Sequence, residues 1–270
     1  MKKNEFYEWL KENTNLMESS IRTYFYAIEK FLKEVKELNI EEINKFISEN
    51  FRNKRNYHYK YAIKKYLEFI KREDIIPKLV KVKISPRKKV GHYYDKETIL
   101  KIIDGMNYYK IVALIQYITG ARAKEVLSFN RNKLIKETNG IRLILEAKGG
   151  KETGVYIPNP YAEKVLQVIE SRKKEYPFLK GSSNNFTTLL NNNYRYYLNE
   201  LKKSVEKLGI EFNTHDFRRN FARMIYNISG KKISVVKAAL RHSKFTSTER
   251  YIGELVSKEE LDKLVENIFT

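Results

Sequence analysis

The 270-residue sequence contains no cysteine and only five prolines. Without cysteine, the chain forms neither disulfides nor thiolate metal sites. No apolar run reaches the roughly 20 residues of a membrane-spanning helix. The opening MKKNEFYEWL is polar and charged where a signal peptide would be apolar. These absences predict a cytoplasmic protein without a membrane anchor, and a hydrophobic content of 42% is sufficient for a core.

Positive charge is abundant and unevenly placed. The net charge is +20. Residues 1–50 carry 8 Lys and Arg against 10 Asp and Glu, whereas residues 51–90 carry 14 against 3, a balance of +11. Evenly dispersed lysines would indicate only a solvated surface, but concentrated charge indicates a polyanionic partner. An anionic membrane surface is the weaker alternative, because no basic segment keeps a broad apolar face for lipid.

The first 74 residues predict a small helical domain with one basic side. Its second helix repeats apolar residues on one face, namely Ile21, Tyr24, Phe25, Ile28, Phe31, Leu32 and Val35. Asn39 and Glu42 have the spacing of a capping box at the start of the third helix. The fourth helix directs a further apolar set inward: Tyr59, Ile63, Tyr66, Leu67 and Ile70.

Basic residues on the other faces of the fourth helix, and in the segment after it, are candidate contacts to the polyanion. Those of the helix are Lys54, Arg55, Lys60, Lys64 and Lys65. Residues 75–94 contain two prolines, a glycine and no helical period, which predicts an extended basic linker. The candidate contacts in this linker are Lys81, Lys83, Arg87, Lys88 and Lys89.

Residues 95–270 predict a second, mostly helical domain with a small sheet, beginning with a helix that Asp95 can cap. Asn139-Gly140 and the glycine pair at 149–150 are turn signals between apolar runs, so three short antiparallel strands are expected. A helix over residues 258–269 carries a last apolar stripe: Leu261, Leu264, Val265, Ile268 and Phe269. The predicted fold class is mainly α (α+β), a helical N-terminal domain followed by a helical domain with a three-stranded antiparallel sheet.

Two motifs of the second domain place a single cation after a turn. TGARAKEVL places Arg122 just after a glycine that ends an apolar helix, and EAKGGK places Lys148 at the tip of a hairpin. Taken alone, each has a structural explanation. A lysine at a hairpin tip is ordinarily solvated, and an arginine after a helix commonly pairs with a carboxylate, here Glu125.

Two further motifs supply histidines. THDFRRNFA places His215 and Arg218 one turn apart on a helix that Thr214 is expected to cap, so both lie on one side. LRHSKFTSTERY supplies His242 and, nine residues later, Tyr251. Each motif is common by itself, and the set of four in this order is far more specific.

Together the motifs resemble the catalytic domain of the tyrosine recombinases, the family of phage-type integrases and Xer recombinases. TGARAKEVL is similar to the family's T-G-x-R-x-x-E-[LV]-L box, and AKGGK to its G-K-G-x-K hairpin. HDFRRNFA resembles H-x-L-R-H-x-F-A, and LRHSKFTSTERY resembles L-G-H-S-x-x-x-T-T-x-x-Y. SIRTYFYAIEKFL resembles a segment of the family's core-binding domain. Three positions depart from these patterns: Ala147 and Arg241 replace glycines, and Arg219 replaces a histidine.

The resemblance implies a reaction without a nucleotide cofactor or metal ion. Tyr251 would attack a DNA phosphodiester and form a 3′-phosphotyrosine, and a 5′ hydroxyl would reverse this attack in the joining step. A phenol with a pKa of about 10 must lose its proton during the attack, and His215 would assist this loss or hydrogen-bond the phosphate. Lys148 suits the role of general acid for the departing 5′ oxygen.

The charge that develops on the phosphoryl group would be neutralised by arginines. Arg122 and Arg218 are the candidates, because a guanidinium forms bidentate hydrogen bonds with the non-bridging oxygens. His242 would donate to a phosphate oxygen, and Glu125 would orient the arginine helix.

The implied function is site-specific recombination of double-stranded DNA by a tetramer assembled on the DNA. Two alternatives remain open from the sequence. A type IB topoisomerase uses similar residues but relaxes supercoils as a monomer, and a catalytically silent regulator would only bind DNA. The sequence decides neither the DNA site nor the choice between dimer resolution and integration of a mobile element.

Overall fold

The computed structural model of the chain describes residues 2–51, 57–80, 92–147 and 150–241. The chain divides into two units, Met1–Lys88 and Lys89–Thr270. The division falls inside the predicted linker.

The first unit is helical and has its own core. Its elements are α1 Lys2–Asn13, α2 Glu18–Glu34, α3 Ile40–Phe51, α4 Tyr57–Phe69 and a 3-10 helix Glu73–Lys78. The predicted apolar face of α2 is confirmed, since Ile28 and Phe31 are fully buried and Tyr24 packs against the same core. The rings of Phe6 and Tyr66 meet edge to face at 5.3 Å and join α1 to α4.

Half of the predicted capping box is present at the start of α3. Asn39 Oδ1 accepts a hydrogen bond from the Glu42 amide at 2.9 Å. The Glu42 carboxylate accepts from the amides of Lys36 and Glu37, both at 3.1 Å, so it closes the preceding turn instead of the cap.

The predicted linker over residues 75–94 was wrong at its start. Ile75 and Leu79 are buried in the first core, because the 3-10 helix folds this segment back against α4. The Asn44 side chain accepts from the Val80 amide at 2.7 Å and donates to the Lys78 carbonyl at 3.2 Å. Residues 75–80 therefore belong to the first unit, and residues 81–91 lie outside the described residues.

The second unit combines helices with a small sheet. Its helices are α5 Lys96–Asp104, α6 Lys110–Thr119, α7 Ala123–Leu127, α8 Tyr161–Arg172, α9 Phe186–Lys207, α10 Thr214–Ile228 and α11 Ile233–Ala239. The predicted cap of α5 is confirmed, since Asp95 Oδ1 accepts from the Thr98 amide at 2.7 Å. The helix α6 lies at the centre of the core, with Val112, Ala113 and Ile115 fully buried.

The three-stranded antiparallel sheet is confirmed, and with it the predicted fold class. Its strands β1 Leu134–Glu137, β2 Gly140–Glu146 and β3 Glu152–Pro158 lie in the order β1-β2-β3. Glu137 pairs with Gly140, so the first turn consists of Thr138 and Asn139. Among the described residues, no helix has the length and apolar character to cross a membrane.

Candidate active site

A glycine turn positions Arg122. Gly120 follows α6 with a φ of 63°, and a Cβ there would meet the Phe221 ring at 2.4 Å. Only glycine is compatible with both the left-handed backbone and this close packing. The turn directs the chain into α7, and Arg122 is the residue before its first turn. The predicted placement after a helix-ending glycine is confirmed.

Glu125 accepts hydrogen bonds from both the backbone and the side chain of Arg122. Its Oε2 accepts from the Arg122 amide at 3.0 Å, and its Oε1 accepts from Arg122 Nη1 at 2.6 Å. The Glu125 side chain is 7% exposed, whereas that of Arg122 is 42% exposed. Glu125 is therefore a buried anchor, and part of the guanidinium reaches solvent.

The helix α10 presents His215 and Arg218 one turn apart. The prediction that Thr214 caps this helix was wrong, because Asn213 is the cap and accepts from the His215 amide at 3.0 Å. Asp216 completes a capping box by accepting from the Asn213 amide at 2.8 Å. Thr214 is the first helical residue instead, and its hydroxyl points to α6.

Arg218 is 1% exposed, the most deeply buried of the predicted site residues that the structure describes. Its Nη1 donates to the Gly120 carbonyl and its Nη2 to the Leu240 carbonyl. These carbonyls lie at the carboxyl ends of α6 and α11. Arg218 therefore joins three helices beside the Arg122 turn.

Sequence reasoning missed a buried amide that connects these parts. Gln116, 1% exposed, donates to the Ala121 carbonyl at 3.1 Å. Its Oε1 accepts from Thr214 Oγ1 at 3.1 Å and from the hydroxyl of the fully buried Tyr197. The one signal in the sequence is a glutamine inside the otherwise apolar run IVALIQYIT. This network fixes the Arg122 turn relative to the start of α10.

A cavity of about 160 Å³ brings three predicted site residues together. Its lining consists of Gln116, Ala121, Arg122, Ala123, Lys124, Tyr194, Thr214, His215 and Arg218. The amino-terminal end of α10 contributes to this wall, and its dipole favours an anion there. Lys124 is held against Tyr194, with its Nζ 5.1 Å from the ring centre.

The electrostatics of the cavity are set by cations. Desolvation lowers the pKa of His215 below its ordinary value, and the positive charges of Arg219, Arg218 and Arg122 act in the same direction. Asp216 opposes them but is fully buried and paired with Arg219 Nη1 at 2.7 Å. His215 is thus biased towards its neutral form, which can accept a proton.

Three predicted catalytic residues, Lys148, His242 and Tyr251, lie outside the described residues, and their roles stay predictions. Of the described residues that flank positions 148 and 149, Gly150 donates its amide hydrogen to the Ala147 carbonyl at 3.1 Å. In the part of the chain that is described, no cluster of histidine and carboxylate side chains could hold a metal ion.

Two of the basic residues on α4 have partners within the protein. Lys60 Nζ donates to the Val80 carbonyl at 2.8 Å, and Lys65 pairs with Glu68 at 2.6 Å. Lys64 is half-buried on the same helix. The remaining predicted DNA contacts lie outside the described residues, and include Lys54, Arg55, Lys81, Lys83, Arg87, Lys88 and Lys89. That this face binds DNA stays a prediction.

A comparison with known protein families matches residues 93–257 to the phage integrase family. This span covers more than half of the chain and contains every predicted catalytic residue. The chain belongs to this family. The prediction of a tyrosine recombinase, an enzyme that cuts and rejoins DNA, is thereby confirmed at the level of the family.

Relatives of known identity agree with this assignment. The chain is 24% identical over 261 residues to the tyrosine recombinase XerA of Thermococcus kodakarensis, across 92% of this chain and 91% of the relative. The fold resembles XerH bound to a palindromic difH substrate after cleavage, with a TM-score of 0.67 and 17% identity over 97% of this chain and 84% of that one.

A second solved structure has the same overall likeness. A lambda integrase tetramer bound to a Holliday junction matches with a TM-score of 0.67 and 14% identity, over 93% of this chain and 76% of that chain. At these identities, the structural likeness shows a shared fold.

Proposed function

We propose that this protein is a site-specific DNA recombinase whose nucleophile is Tyr251. The observation that carries the proposal is the cavity in which Arg122, His215 and Arg218 meet at the amino-terminal end of α10. A pocket of this size and charge suits a single phosphodiester group. XerA, XerH and lambda integrase, to which the chain is similar, include proteins solved on DNA substrates and on a Holliday junction.

The covalent step exchanges one phosphoester for another. Tyr251 Oη attacks the phosphorus and its proton passes to neutral His215. The bond from phosphorus to the 5′ oxygen breaks, and Lys148 protonates that oxygen so that it leaves as a hydroxyl. The reverse attack, by a 5′ hydroxyl of another strand, restores the tyrosine and rejoins the DNA. No oxidant and no nucleotide enters, because the number of phosphoester bonds is conserved.

The arginines and a histidine stabilise the charge on the phosphoryl oxygens. Arg122 offers the N–H groups that Glu125 leaves available, and His242 donates a further hydrogen bond. Arg218 contributes positive charge from the wall of the cavity. Each of its Nη atoms carries two N–H groups, so it can donate both to a carbonyl and to an oxygen of the phosphate. Stabilisation of this kind is commonly the largest contribution to catalysis.

We further propose that four copies assemble on paired sites, as in the lambda integrase tetramer on its junction. The basic residues of the first unit would bind phosphates without sequence preference, which makes affinity strongly dependent on salt. The cysteine-free sequence fits a reducing cytoplasm, where the chromosomal or plasmid substrate lies.

The test is covalent trapping on a nicked suicide substrate that prevents rejoining. Tyr251→Phe should yield no protein–DNA adduct and should retain DNA binding in a mobility-shift assay, since only the nucleophilic oxygen is removed. Tyr196→Phe, at a 55% exposed tyrosine of α9, is the matched control and should form the adduct normally. An adduct at the wild-type level in Tyr251→Phe would refute the assignment. Relaxation of a plasmid without recombination between paired sites would instead favour the topoisomerase alternative.

A further inference from the structure

Arg241 occupies a backbone position that normally belongs to glycine. It follows the carboxyl end of α11 with a φ of 57°, and its amide donates to the Ala238 carbonyl at 2.9 Å. Helices commonly end with one residue in this left-handed conformation, and glycine is favoured there because it has no Cβ. The resembled motif has glycine at the same place. An arginine here is a departure that the backbone disfavours.

The side chain of Arg241 reaches the anchor of the active site. Its Nη2 lies 3.4 Å from Glu125 Oε2, and the two side chains are 13% and 7% exposed. The Glu125 carboxylate therefore contacts two arginines, with Arg122 Nη1 on its other oxygen at 2.6 Å. Burial lowers the pKa of the Arg241 guanidinium, Arg122 adds to this effect, and Glu125 opposes it.

Two unfavourable features coincide at Arg241, a left-handed backbone and a partly buried cation beside another cation. A carboxylate that pairs with only one guanidinium neutralises the charge of that guanidinium and directs its N–H groups towards the carboxylate. The guanidinium of Arg241 at Oε2 also interacts with the negative charge of Glu125, so this charge neutralises Arg122 less completely. It also restrains the carboxylate rotation that would let Arg122 swing away from the cavity.

We infer that Arg241 is a positioning residue for strand cleavage: it binds the second oxygen of Glu125 and so keeps the guanidinium of Arg122 oriented and incompletely neutralised for the phosphate. The inference rests on the proposed function, because it assigns the same cavity to a scissile phosphate. Arg241 acts through Glu125 and Arg122 and need not touch the DNA.

A pair of substitutions separates this role from a structural one. Arg241→Gly and Arg241→Ala both remove the guanidinium, but only glycine relieves the left-handed backbone, so the glycine variant should melt at the higher temperature. Both variants should form the covalent adduct about 10- to 100-fold more slowly than wild type at saturating protein, as expected for a misplaced catalytic group. Affinity for intact DNA should be unchanged, and Arg241→Lys should recover part of the rate. A merely structural role predicts that cleavage follows the melting temperature, with glycine the more active variant.

Two further measurements complete the test. Lys173→Gly relieves a left-handed φ of 44° at the end of α8 and should cleave at the wild-type rate. When Arg241→Gly is added to Arg122→Lys, cleavage should slow little further, because both changes disrupt the same contacts to Glu125. Cleavage at the wild-type rate by Arg241→Gly, or fully additive defects in the double variant, would overturn this inference but leave the proposed function intact. Failure of the wild-type protein to form the Tyr251 adduct would overturn the proposed function instead.

Discussion

The cations of the first unit and those of the second are held in different ways. On α4, Lys60 and Lys65 are partly exposed, and their ammonium groups lie close to the Val80 carbonyl and to Glu68. In the second unit, Arg218 is 1% exposed and donates to two backbone carbonyls, while Arg122 shares a buried carboxylate. The lysines of the first unit are suited to binding DNA, and the arginines of the second unit are suited to holding a phosphate in a fixed geometry.

The chemistry of the side chains explains the difference. A lysine ammonium is a point charge on a flexible stem, which can follow a phosphate backbone without a fixed position. A guanidinium is planar and has five N–H donors in a fixed fork, so it can hold its surroundings and a phosphate oxygen together. We therefore expect changes in the second unit to alter the rate of cleavage, and changes on α4 to alter binding.

The largest effect is expected at Arg218. Arg218→Lys keeps the charge but cannot reach the carbonyls of both Gly120 and Leu240. Cleavage should fall about 100- to 1000-fold, the range for removal of one preorganised donor. The free energy of unfolding should fall by about 2 kcal/mol, because at least one buried carbonyl is left without its donor. Single-turnover trapping and denaturant titration measure the two effects.

The control for Arg218 is Arg223→Lys on the same helix. Arg223 is exposed and lies over the Tyr93 ring, 4.9 Å from its centre. Both the stability and the cleavage rate of this variant should stay close to wild type. An Arg218→Lys variant that cleaves normally would show that charge alone is sufficient at this position.

An intermediate effect is expected from pH, through His215. Its pKa is lowered, so the neutral, proton-accepting form predominates above a pH that lies below the ordinary histidine value of 6.5. Cleavage should therefore rise with pH through this lowered pKa and be constant above it. Arg219→Gln removes a positive neighbour and raises the pKa of His215, so the rise should move to higher pH. The measurement is the single-turnover rate between pH 5 and 8, and His215→Gln should abolish the rise. An identical profile in the Arg219 and wild-type proteins would contradict this account of His215.

The smallest effect on cleavage is expected on α4. A triple variant, Lys60→Gln with Lys64→Gln and Lys65→Gln, should bind DNA more weakly. The slope of log affinity against log salt should decrease by roughly 0.9 for each DNA phosphate that the variant no longer neutralises. Lys33→Gln on α2 is the control, since residues 1–50 carry no excess of positive charge. An unchanged slope in the triple variant would place the DNA-binding charges elsewhere.

Local patterns predicted much of the fold. The stripe on α2, the Asp95 cap, the Gly120 turn and the three strands all depend on residues that are close together in the sequence. The start of the linker could not be predicted this way, since Ile75 and Leu79 are ordered only by a core built from other helices. The cap of α10 was misplaced by one residue because Asn213 and Thr214 are both good capping residues.

The candidate site was predicted as a set of residue types, with the local pairing of Arg122 and Glu125, but its long-range contacts were not predicted. The motifs indicated Arg122, His215 and Arg218, and the cavity brings these together. Nothing local indicated that Gln116 joins Thr214 across 98 positions, or that Arg241 reaches Glu125 across 116. Such contacts depend on the packing of α6, α7, α10 and α11, which no single segment encodes.

The central claim is that arginines of the second unit set the rate of cleavage, whereas lysines of α4 set the affinity for DNA. The most direct test compares Arg122→Lys with the α4 triple variant on one suicide substrate. The rate of covalent adduct formation is measured as protein concentration rises to saturation. We predict that the triple variant reaches the wild-type rate once the DNA is saturated, whereas Arg122→Lys remains about 100-fold slower at every concentration. A triple variant that stays slow at saturation, or an Arg122→Lys variant that reaches the wild-type rate, would contradict the account.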